Sequence, residues 1–355
     1  MVVRPLATLG DNLGRMKIGI KDAIAGLFRS VKTAATPVSA QPLSRGLQAL
    51  EAGELGKAAD ILLPLAEQGV PEAQFAVGSM YQSGKGYAAD LSEALRWYRL
   101  AAARGHTEAQ YNLARLYAKG QGVPRDDAEA LRWYRLAAEA GHPMAGYAVG
   151  ACYYHGQGVA RDVAESVRWY RLAAEKGVAA AEFGLGAMYR SGEGLPRNPA
   201  EASRLIRSAA EKGNADAQFA LGVIFDEGEG VPKDSKEAAR WFRKAADAGH
   251  CQAQFNLGLM YENGEGVPKS CADAAHWYQM AAAKNDADAQ DSLGRLYERG
   301  NGVPQDYVLA HMWYNLAAAQ GDRDAQHSRD RIASDMSRSE VLQARRLASD
   351  WKPAA

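Results

Sequence analysis

Residues 217–249 read AQFALGVIFDEGEGVPKDSKEAARWFRKAADAG, and the first half of this stretch predicts a helix. Leu221 and Phe225 lie four residues apart, so their side chains share one apolar face of that helix. Gly228 and Gly230 predict its end, because glycine readily takes the left-handed backbone conformation in which many helices stop. The spacing therefore indicates a short amphipathic helix followed by a tight turn.

The second half of the stretch predicts another helix, which begins after Asp234. Aspartate is a favoured N-cap, and Glu237 three residues later completes a capping-box pattern. Trp241 and Phe242 then lie on the apolar stripe, and Gly249 marks the end of the helix. The two halves together predict one pair of helices joined by a turn.

The pattern recurs with a period of 36 residues. Tryptophan marks this period at Trp97, Trp133, Trp169, Trp241, Trp277 and Trp313, and Leu205 takes its place once. Gly-x-Gly turns recur at the same interval and start at Gly84, Gly120, Gly156, Gly192, Gly228, Gly264 and Gly300. We interpret these turns as helix stops. Seven copies in one register over residues 72–323 indicate a repeat protein built from stacked helix pairs.

The recurring residues resemble the Sel-one-like repeat (SLR) family. The resemblance rests on AQxxLGxxFxxGxGV at residues 217–231 and AxxWFxxAAxxG at residues 238–249, and it covers about four-fifths of the chain. It implies an all-α fold, a right-handed superhelical α-solenoid of antiparallel helix pairs. It also implies a non-catalytic scaffold or adaptor in signalling, envelope, secretion or quality-control complexes. A cysteine-rich branch of the family has been linked with β-lactam binding, but this chain lacks the regular paired cysteines of that branch.

Three further segments flank the seven copies. Residues 43–71 predict a shortened first repeat, and residues 324–355 predict capping helices that close the array with a more polar surface. Residues 1–40 form a tail, in which residues 16–32 predict a basic amphipathic helix. Three roles remain open for that helix: a cap on the first repeat, a loosely ordered tail, or a contact with an anionic membrane or a partner.

Charge and cysteine usage narrow the classes of function. The chain carries 42 basic and 42 acidic side chains, and this balance argues against nucleic-acid binding, which usually needs a basic surplus. Its three cysteines, Cys152, Cys251 and Cys271, are too scattered for a disulfide framework. No run approaches the roughly 20 apolar residues of a membrane span. We expect a cytoplasmic protein, with a peripheral-membrane or periplasmic location as the alternatives.

The chain has no recognisable catalytic or metal-binding motif, so we expect no cofactor, no metal and no enzyme activity. The Gly-x-Gly turns lack the third glycine of a dinucleotide fingerprint, where Arg125 stands in one copy. His106, His142 and His250 share one repeat position, which we interpret as a helix N-cap. Cys152 lies on the packing face, which favours a core role over that of a nucleophile. The last alternative is an enzyme acting on β-lactams or cell-wall fragments.

Partner contacts are expected on the first helix of each pair, because that helix lines the concave surface in tetratricopeptide-like folds. The candidate positions lie three, six and ten residues after the alanine that starts each copy. They hold Asn112, Arg115, Lys119, Asn256, Asn263, Arg295 and Arg299, and Tyr154 with His155 forms a further candidate surface. Such side chains can hold a peptide backbone or a carboxylate, so a protein or peptide partner is predicted. The alternative is that they form ordinary solvated helix faces.

The tryptophans are predicted to be core residues, because they recur at a constant period beside alanines. Trp133→Ala is therefore expected to cost about 3–5 kcal/mol. Glycines inside the first helices, such as Gly78, Gly150 and Gly222, are expected to permit close helix approach, with a neighbouring aromatic ring covering the gap.

Overall fold

The computed structural model describes residues 40–353, which contain 18 α-helices and no strand. Eight helices come first: α1 (Ala40–Glu51), α2 (Leu55–Glu67), α3 (Pro71–Ser83), α4 (Leu91–Ala103), α5 (Thr107–Lys119), α6 (Asp127–Glu139), α7 (Pro143–His155) and α8 (Val163–Glu175). Ten follow: α9 (Ala179–Ser191), α10 (Pro199–Glu211), α11 (Ala215–Glu227), α12 (Ser235–Asp247), α13 (Cys251–Asn263), α14 (Cys271–Ala282), α15 (Ala287–Arg299), α16 (Tyr307–Ala319), α17 (Arg323–Ala333) and α18 (Arg338–Asp350). The all-α prediction is confirmed, whereas the amphipathic helix predicted at residues 16–32 lies outside the described residues.

The chain divides into two compact units. The described residues of the first unit are 40–185 and 193–196, and those of the second unit are 186–192 and 197–353. In the first unit, each helix from α1 to α8 packs against the next helix along the chain. The second unit follows the same rule from α10 to α17, and α18 packs back on α16. Each unit is therefore held together by contacts between chain neighbours, as expected of a repeat protein.

In the seven 36-residue repeats, the second helix of each pair begins at an N-cap side chain, whereas α2 has no side-chain cap. In α12, Asp234 Oδ1 accepts a hydrogen bond from the backbone N–H of Glu237 at 3.1 Å. The glutamate does not return the bond, because its carboxylate pairs with Arg240 three residues further on. Within residues 40–353, a reciprocal capping box is formed by Ser337 and Glu340 in α18. The predicted caps are thus confirmed, but the predicted capping boxes of the repeats are only half formed.

Six of the first helices, α5, α7, α11, α13, α15 and α17, carry histidine, asparagine or aspartate caps, whereas α3 follows Val70 and has no side-chain cap. His106 Nδ1 accepts a hydrogen bond from the backbone N–H of Ala109 at 3.1 Å. His142 and His250 make the equivalent bond, and Asn214 makes it through Oδ1. The interpretation of this repeat position as an N-cap is confirmed.

Burial makes His106 a source of pH-dependent stability. Its ring is 8% exposed and stacks on Phe75 with the centroids 4.8 Å apart. Burial lowers the pKa of His106 from 6.5 to about 4, so the folded chain favours the neutral imidazole. In the unfolded chain, the His106 imidazole takes up its proton near the ordinary histidine pKa of 6.5. The free energy of unfolding that the neutral His106 contributes is therefore complete above the pKa of the unfolded chain. It is lost as the pH falls towards 4, by up to about 3 kcal/mol.

Replacing His106 with asparagine is expected to remove this loss. Asn214 caps its helix from the same repeat position, so H106N should keep the cap without an ionisable group. Urea unfolding followed by circular dichroism, at about pH 7 and about pH 4.5, should show a smaller loss of stability for the variant than for the natural chain. Equal losses in the two proteins would contradict the assignment to His106.

The core of most pairs contains a large side chain that lies over a helical glycine, although Ala114 holds this position in α5. Phe242 of α12 covers Gly222 of α11, where a Cβ would fall 2.6 Å from the ring Cδ1. The same arrangement joins Tyr98 to Gly78, Tyr170 to Gly150, Tyr278 to Gly258 and Tyr314 to Gly294. The predicted close approach under an aromatic ring is confirmed.

Four of the repeat tryptophans are buried, with exposures of 4–8%: Trp97, Trp169, Trp241 and Trp277. Trp133 and Trp313 are only half-buried. A half-buried indole loses less buried apolar area on truncation, so the expected cost of Trp133→Ala falls below the range predicted from the sequence. The core prediction is right for the four buried tryptophans and too strong for Trp133.

The two glycines of each Gly-x-Gly turn have different roles. Gly264 ends α13 in the left-handed conformation, with φ at 79°, as predicted for a helix stop. Gly266, with φ at 69°, lies against the start of α12 in the preceding pair, where a Cβ would fall 2.0 Å from the carbonyl oxygen of Ser235. The same contact joins Gly122 to Leu91, Gly158 to Asp127, Gly230 to Pro199 and Gly302 to Cys271. The interpretation of both glycines as helix stops is therefore wrong for the second one, which forms a contact between successive pairs.

Candidate functional site

The candidate residues of the first unit form one cluster on α5. Asn112 and Arg115 are half-buried, and Lys119 is exposed at the last residue of the helix. Arg115 donates to Asn112 Oδ1 at 3.4 Å, and its guanidinium lies 5.8 Å from the ring centroid of Tyr111. Partial burial and the nearby Arg115 charge lower the pKa of Lys119. The three predicted residues are thus brought together around Arg115.

Tyr154 and His155 lie at the end of α7, and Tyr154 belongs to an ionic cluster. The two rings meet edge to face, with centroids 4.9 Å apart. The Tyr154 hydroxyl donates to Glu193 at 2.7 Å, and Arg161 forms an ion pair with the same carboxylate. Burial and the hydrogen bond to Glu193 raise the pKa of Tyr154 to about 12. The Tyr154 hydroxyl is therefore already used within the chain.

The candidate residues of the second unit lie on α13 and α15. Asn263 and Arg299 are exposed at the last residues of these helices. Arg295 is half-buried, and its Nη2 lies 3.3 Å from Glu262 Oε2 on the neighbouring first helix. Asn256 is only 4% exposed, although its spacing suggested a position off the packing face. It is buried because α13 is packed between α12 and α14.

A row of carboxylates near the ends of the first helices was not recognised from the sequence pattern. Glu298 Oε2 accepts a hydrogen bond from the Tyr314 hydroxyl at 2.7 Å, and Arg331 forms an ion pair with the same carboxylate at 2.7 Å. The same three residue types meet one repeat earlier as Glu262, Tyr278 and Arg295. The signal in the sequence is the 36-residue interval at which all three residue types return.

Asp226 holds the equivalent carboxylate in α11 but lacks both partners. Phe242 replaces the tyrosine and Leu259 replaces the arginine at the corresponding positions. Asp226 is 4% exposed, and its Oδ1 has no hydrogen-bond partner within residues 40–353. A buried carboxylate oxygen without a hydrogen bond is costly, so a cation from outside the chain would stabilise it.

Metal clusters and ionised thiols are two common kinds of reaction centre. Across residues 40–353, no group of three His, Cys, Asp or Glu side chains could hold a metal ion. Burial raises the pKa of the Cys152 thiol to about 12, so this thiol is protonated at neutral pH. None of the helices in this part of the chain has the length and apolar character needed to cross a bilayer.

Helix pairs that repeat every 36 residues, with polar side chains on the first helices, define a protein of the tetratricopeptide-like α-solenoid class. The Sel1 repeat family matches seven consecutive segments, at residues 71–106, 107–142, 143–178, 179–214, 215–250, 251–286 and 287–322. The chain therefore belongs to the Sel1 repeat family, as its sequence predicts. Repeats of this family commonly serve as protein-interaction scaffolds, and the fold is typically non-enzymatic.

Two solved structures are similar to this chain over most of its length. One is c5321, a protective antigen present in uropathogenic Escherichia coli strains that displays an SLR fold. It is 32% identical with a TM-score of 0.73, and the match covers 92% of this chain and 71% of that one. The other is a Sel1 repeat protein from Oxalobacter formigenes, 32% identical with a TM-score of 0.64, over 68% of this chain and 96% of that one. These likenesses confirm the predicted α-solenoid fold. A comparison with curated proteins finds no match.

Proposed function

We propose that this chain is a non-catalytic scaffold that binds a protein or peptide partner along the first helices of its repeats, on the concave face. The observation that supports this most directly is the buried carboxylate of Asp226, which lacks the hydroxyl and the guanidinium that hold Glu262. A lysine or arginine side chain of the partner would supply the missing cation. Charge-assisted hydrogen bonds of this kind are stronger than neutral ones.

Two further groups of side chains extend the proposed surface. Asn112, Arg115 and Lys119 form a basic cluster in the first unit, which suits a carboxylate or a peptide carbonyl. Asn263 and Arg299 are exposed at the ends of α13 and α15 in the second unit. Extended rows of such contacts are the usual way in which solenoid proteins hold their partners.

Arg299→Glu is expected to weaken partner binding, because it reverses an exposed charge on the proposed surface without touching the core. The tagged full chain would be expressed in its native cell, and captured proteins would be quantified by mass spectrometry. We expect partner recovery to fall at least about fivefold, which corresponds to roughly 1 kcal/mol of binding free energy. Arg346→Glu on α18, an equally exposed charge reversal, should leave recovery unchanged.

Asp226→Asn provides a second arm of the same experiment, because it removes the charge that would attract the partner's cation. Recovery should fall with this variant as well. Full recovery with both R299E and D226N would show that the first helices of the second unit do not bind the partner. Arg115 and Arg295 are less suitable targets, because both contact residues of their own chain.

A membrane-associated adaptor anchored by the N-terminal helix is the second candidate from the sequence. Its basis, the amphipathic pattern at residues 16–32, lies outside the described residues. The membrane contact and the cytoplasmic location both stay predictions.

A further inference from the structure

A buried glutamine joins successive helix pairs in four of the repeats. Gln110 Nε2, in α5, donates a hydrogen bond to the carbonyl oxygen of Ala102 in the last turn of α4, at 3.2 Å. Equivalent bonds of 3.0–3.1 Å run from Gln74 to Ala66, from Gln218 to Ala210 and from Gln254 to Ala246. All four glutamines are at most 8% exposed. The chain therefore places a primary carboxamide repeatedly at the same point of its repeat.

The repeat at residues 143–178 lacks this side chain, and a cavity takes its place. Gly146 of α7 stands at the glutamine position, and a cavity of about 250 Å³ is lined by Gly146, Ala138, Trp169 and Leu172, among others. A Cβ at Gly146 would meet the Cβ of Ala173 at 3.6 Å, which is an ordinary contact. The volume far exceeds the roughly 10–15 Å³ that a single water needs. We call this space the Gly146 cavity.

One backbone carbonyl in the wall of the Gly146 cavity lacks the side-chain hydrogen bond that its equivalents in four other repeats accept. The Ala138 carbonyl accepts from backbone N–H groups, that of Gly141 at 3.0 Å among them, whereas the equivalent Ala102 carbonyl also accepts from the Gln110 side chain. The direction from which Gln110 approaches Ala102 is therefore not used by any side chain at Ala138 among residues 40–353. Trp169 lines the cavity and is 8% exposed. Its indole N–H is buried without an acceptor among residues 40–353, as are those of Trp97 and Trp241 in repeats that carry the glutamine, so the indole is a reporter of the cavity and not a partner for a ligand.

We propose that the Gly146 cavity binds a primary carboxamide, namely the side chain of a glutamine presented by the partner protein. Its N–H donates to the Ala138 carbonyl, as the chain's own glutamines donate to the equivalent carbonyls in four other repeats. The methylene groups contact the apolar walls at Leu172 and Ala173. A carboxylate has no proton to donate to Ala138, and neither does an alkyl side chain. The source of the glutamine rests on the proposed function, whereas the carboxamide selectivity does not.

Propionamide reproduces the glutamine side chain as a free molecule, so it provides the test. The ¹⁵N-labelled full chain would be titrated with propionamide while the Trp169 indole N–H resonance is followed, assigned through Trp169→Phe. We expect a saturable shift with a millimolar Kd, as suits so small a ligand. N,N-dimethylpropionamide, which keeps the carbonyl but has no N–H, should bind at least about fivefold more weakly. A shift that rises linearly without saturation, or equal binding of the two amides, would overturn the proposal.

Two variants of the same repeat position test the location of the site. Gly146→Gln should fill the cavity from within, abolish the shift and raise the melting temperature. Gln110→Gly should open an equivalent space beside Ala102 and add a second saturable shift at the Trp133 indole. Undiminished propionamide binding by G146Q, or a lowered melting temperature, would show that the cavity is not an empty glutamine position.

The partner as source of the glutamine is tested separately by affinity capture. G146Q should recover less of the partner than the natural chain, because its own side chain occupies the cavity. If G146Q captures as much partner as the natural chain while the natural chain binds propionamide, the glutamine that occupies the cavity does not come from the partner. The propionamide titration needs no partner, so its failure is distinguishable from failure of the proposed scaffold role.

Discussion

Gly266→Ala is expected to destabilise the second unit by about 2–5 kcal/mol, more than a single added methyl group usually costs. Two effects add at this glycine. Its φ of 69° is unfavourable for alanine by about 1–2 kcal/mol. The new Cβ would also fall 2.0 Å from the carbonyl oxygen of Ser235, and such overpacking costs about 1–3 kcal/mol. The overlap involves backbone, so no side-chain rotation can relieve it.

Gly213→Ala is the matched control for this experiment. Gly213 belongs to the same unit and has a φ of 86°, but a Cβ there would meet nothing within 4 Å. It should therefore show the cost of the backbone conformation alone. Chemical denaturation of the full chain, followed by circular dichroism, compares the two variants. Equal destabilisation by G266A and G213A would contradict a contact between the turn and the preceding helix pair.

Phe242→Ala is expected to cost about 3–5 kcal/mol, as truncations of large buried aromatic residues do. The ring is 2% exposed and fills the space between α11 and α12 over Gly222. Trp133→Ala should cost less, because the Trp133 indole is half-buried. Urea unfolding of the two variants ranks them, and a larger cost for W133A would show that the indoles, rather than the rings over the glycines, dominate the core.

A double variant tests the pairing of Phe242 with Gly222. In the natural chain, Gly222→Ala forces a Cβ to within 2.6 Å of the ring. In the Phe242→Ala background the ring is absent, so the same change should stabilise the chain by up to about 1 kcal/mol through the helix propensity of alanine. An identical effect of G222A in both backgrounds would mean that the two residues do not interact.

Most of the fold could be predicted because its determinants are local and repeated. The N-caps at Asp234 and His106 and the helix stop at Gly264 depend on residues within one turn of the helix end, and such signals can be read from spacing. The burial of Phe242 over Gly222 was also expected, because an aromatic residue and an otherwise unfavourable helical glycine recur together. Repetition strengthened each of these signals.

The candidate site was harder to predict, because it depends on how neighbouring helices pack. Periodicity identified Arg115, Lys119 and Arg299 as polar first-helix residues, and their use in partner binding remains a prediction. The same periodicity failed for Asn256, which is buried between neighbouring helices. The ion pair of Glu262 with Arg295 joins two first helices, and the two residues are 33 positions apart. The pattern inside a single repeat therefore cannot predict this ion pair.

The sequence by itself determined the class of fold, the length of the repeat, the helix ends and the residue types of the core, because these depend on contacts between residues close together in the chain. Tertiary structure alone decided that the second glycine of a Gly-x-Gly turn contacts the backbone of the preceding helix pair. It also decided that Asp226 lacks a cation and that the repeat at residues 143–178 contains a cavity at Gly146. These features depend on distances between residues about one repeat apart, where a spacing of one or two ångströms separates a clash from a contact. Such distances are set by the packing of whole helices and are not encoded in any single stretch of residues.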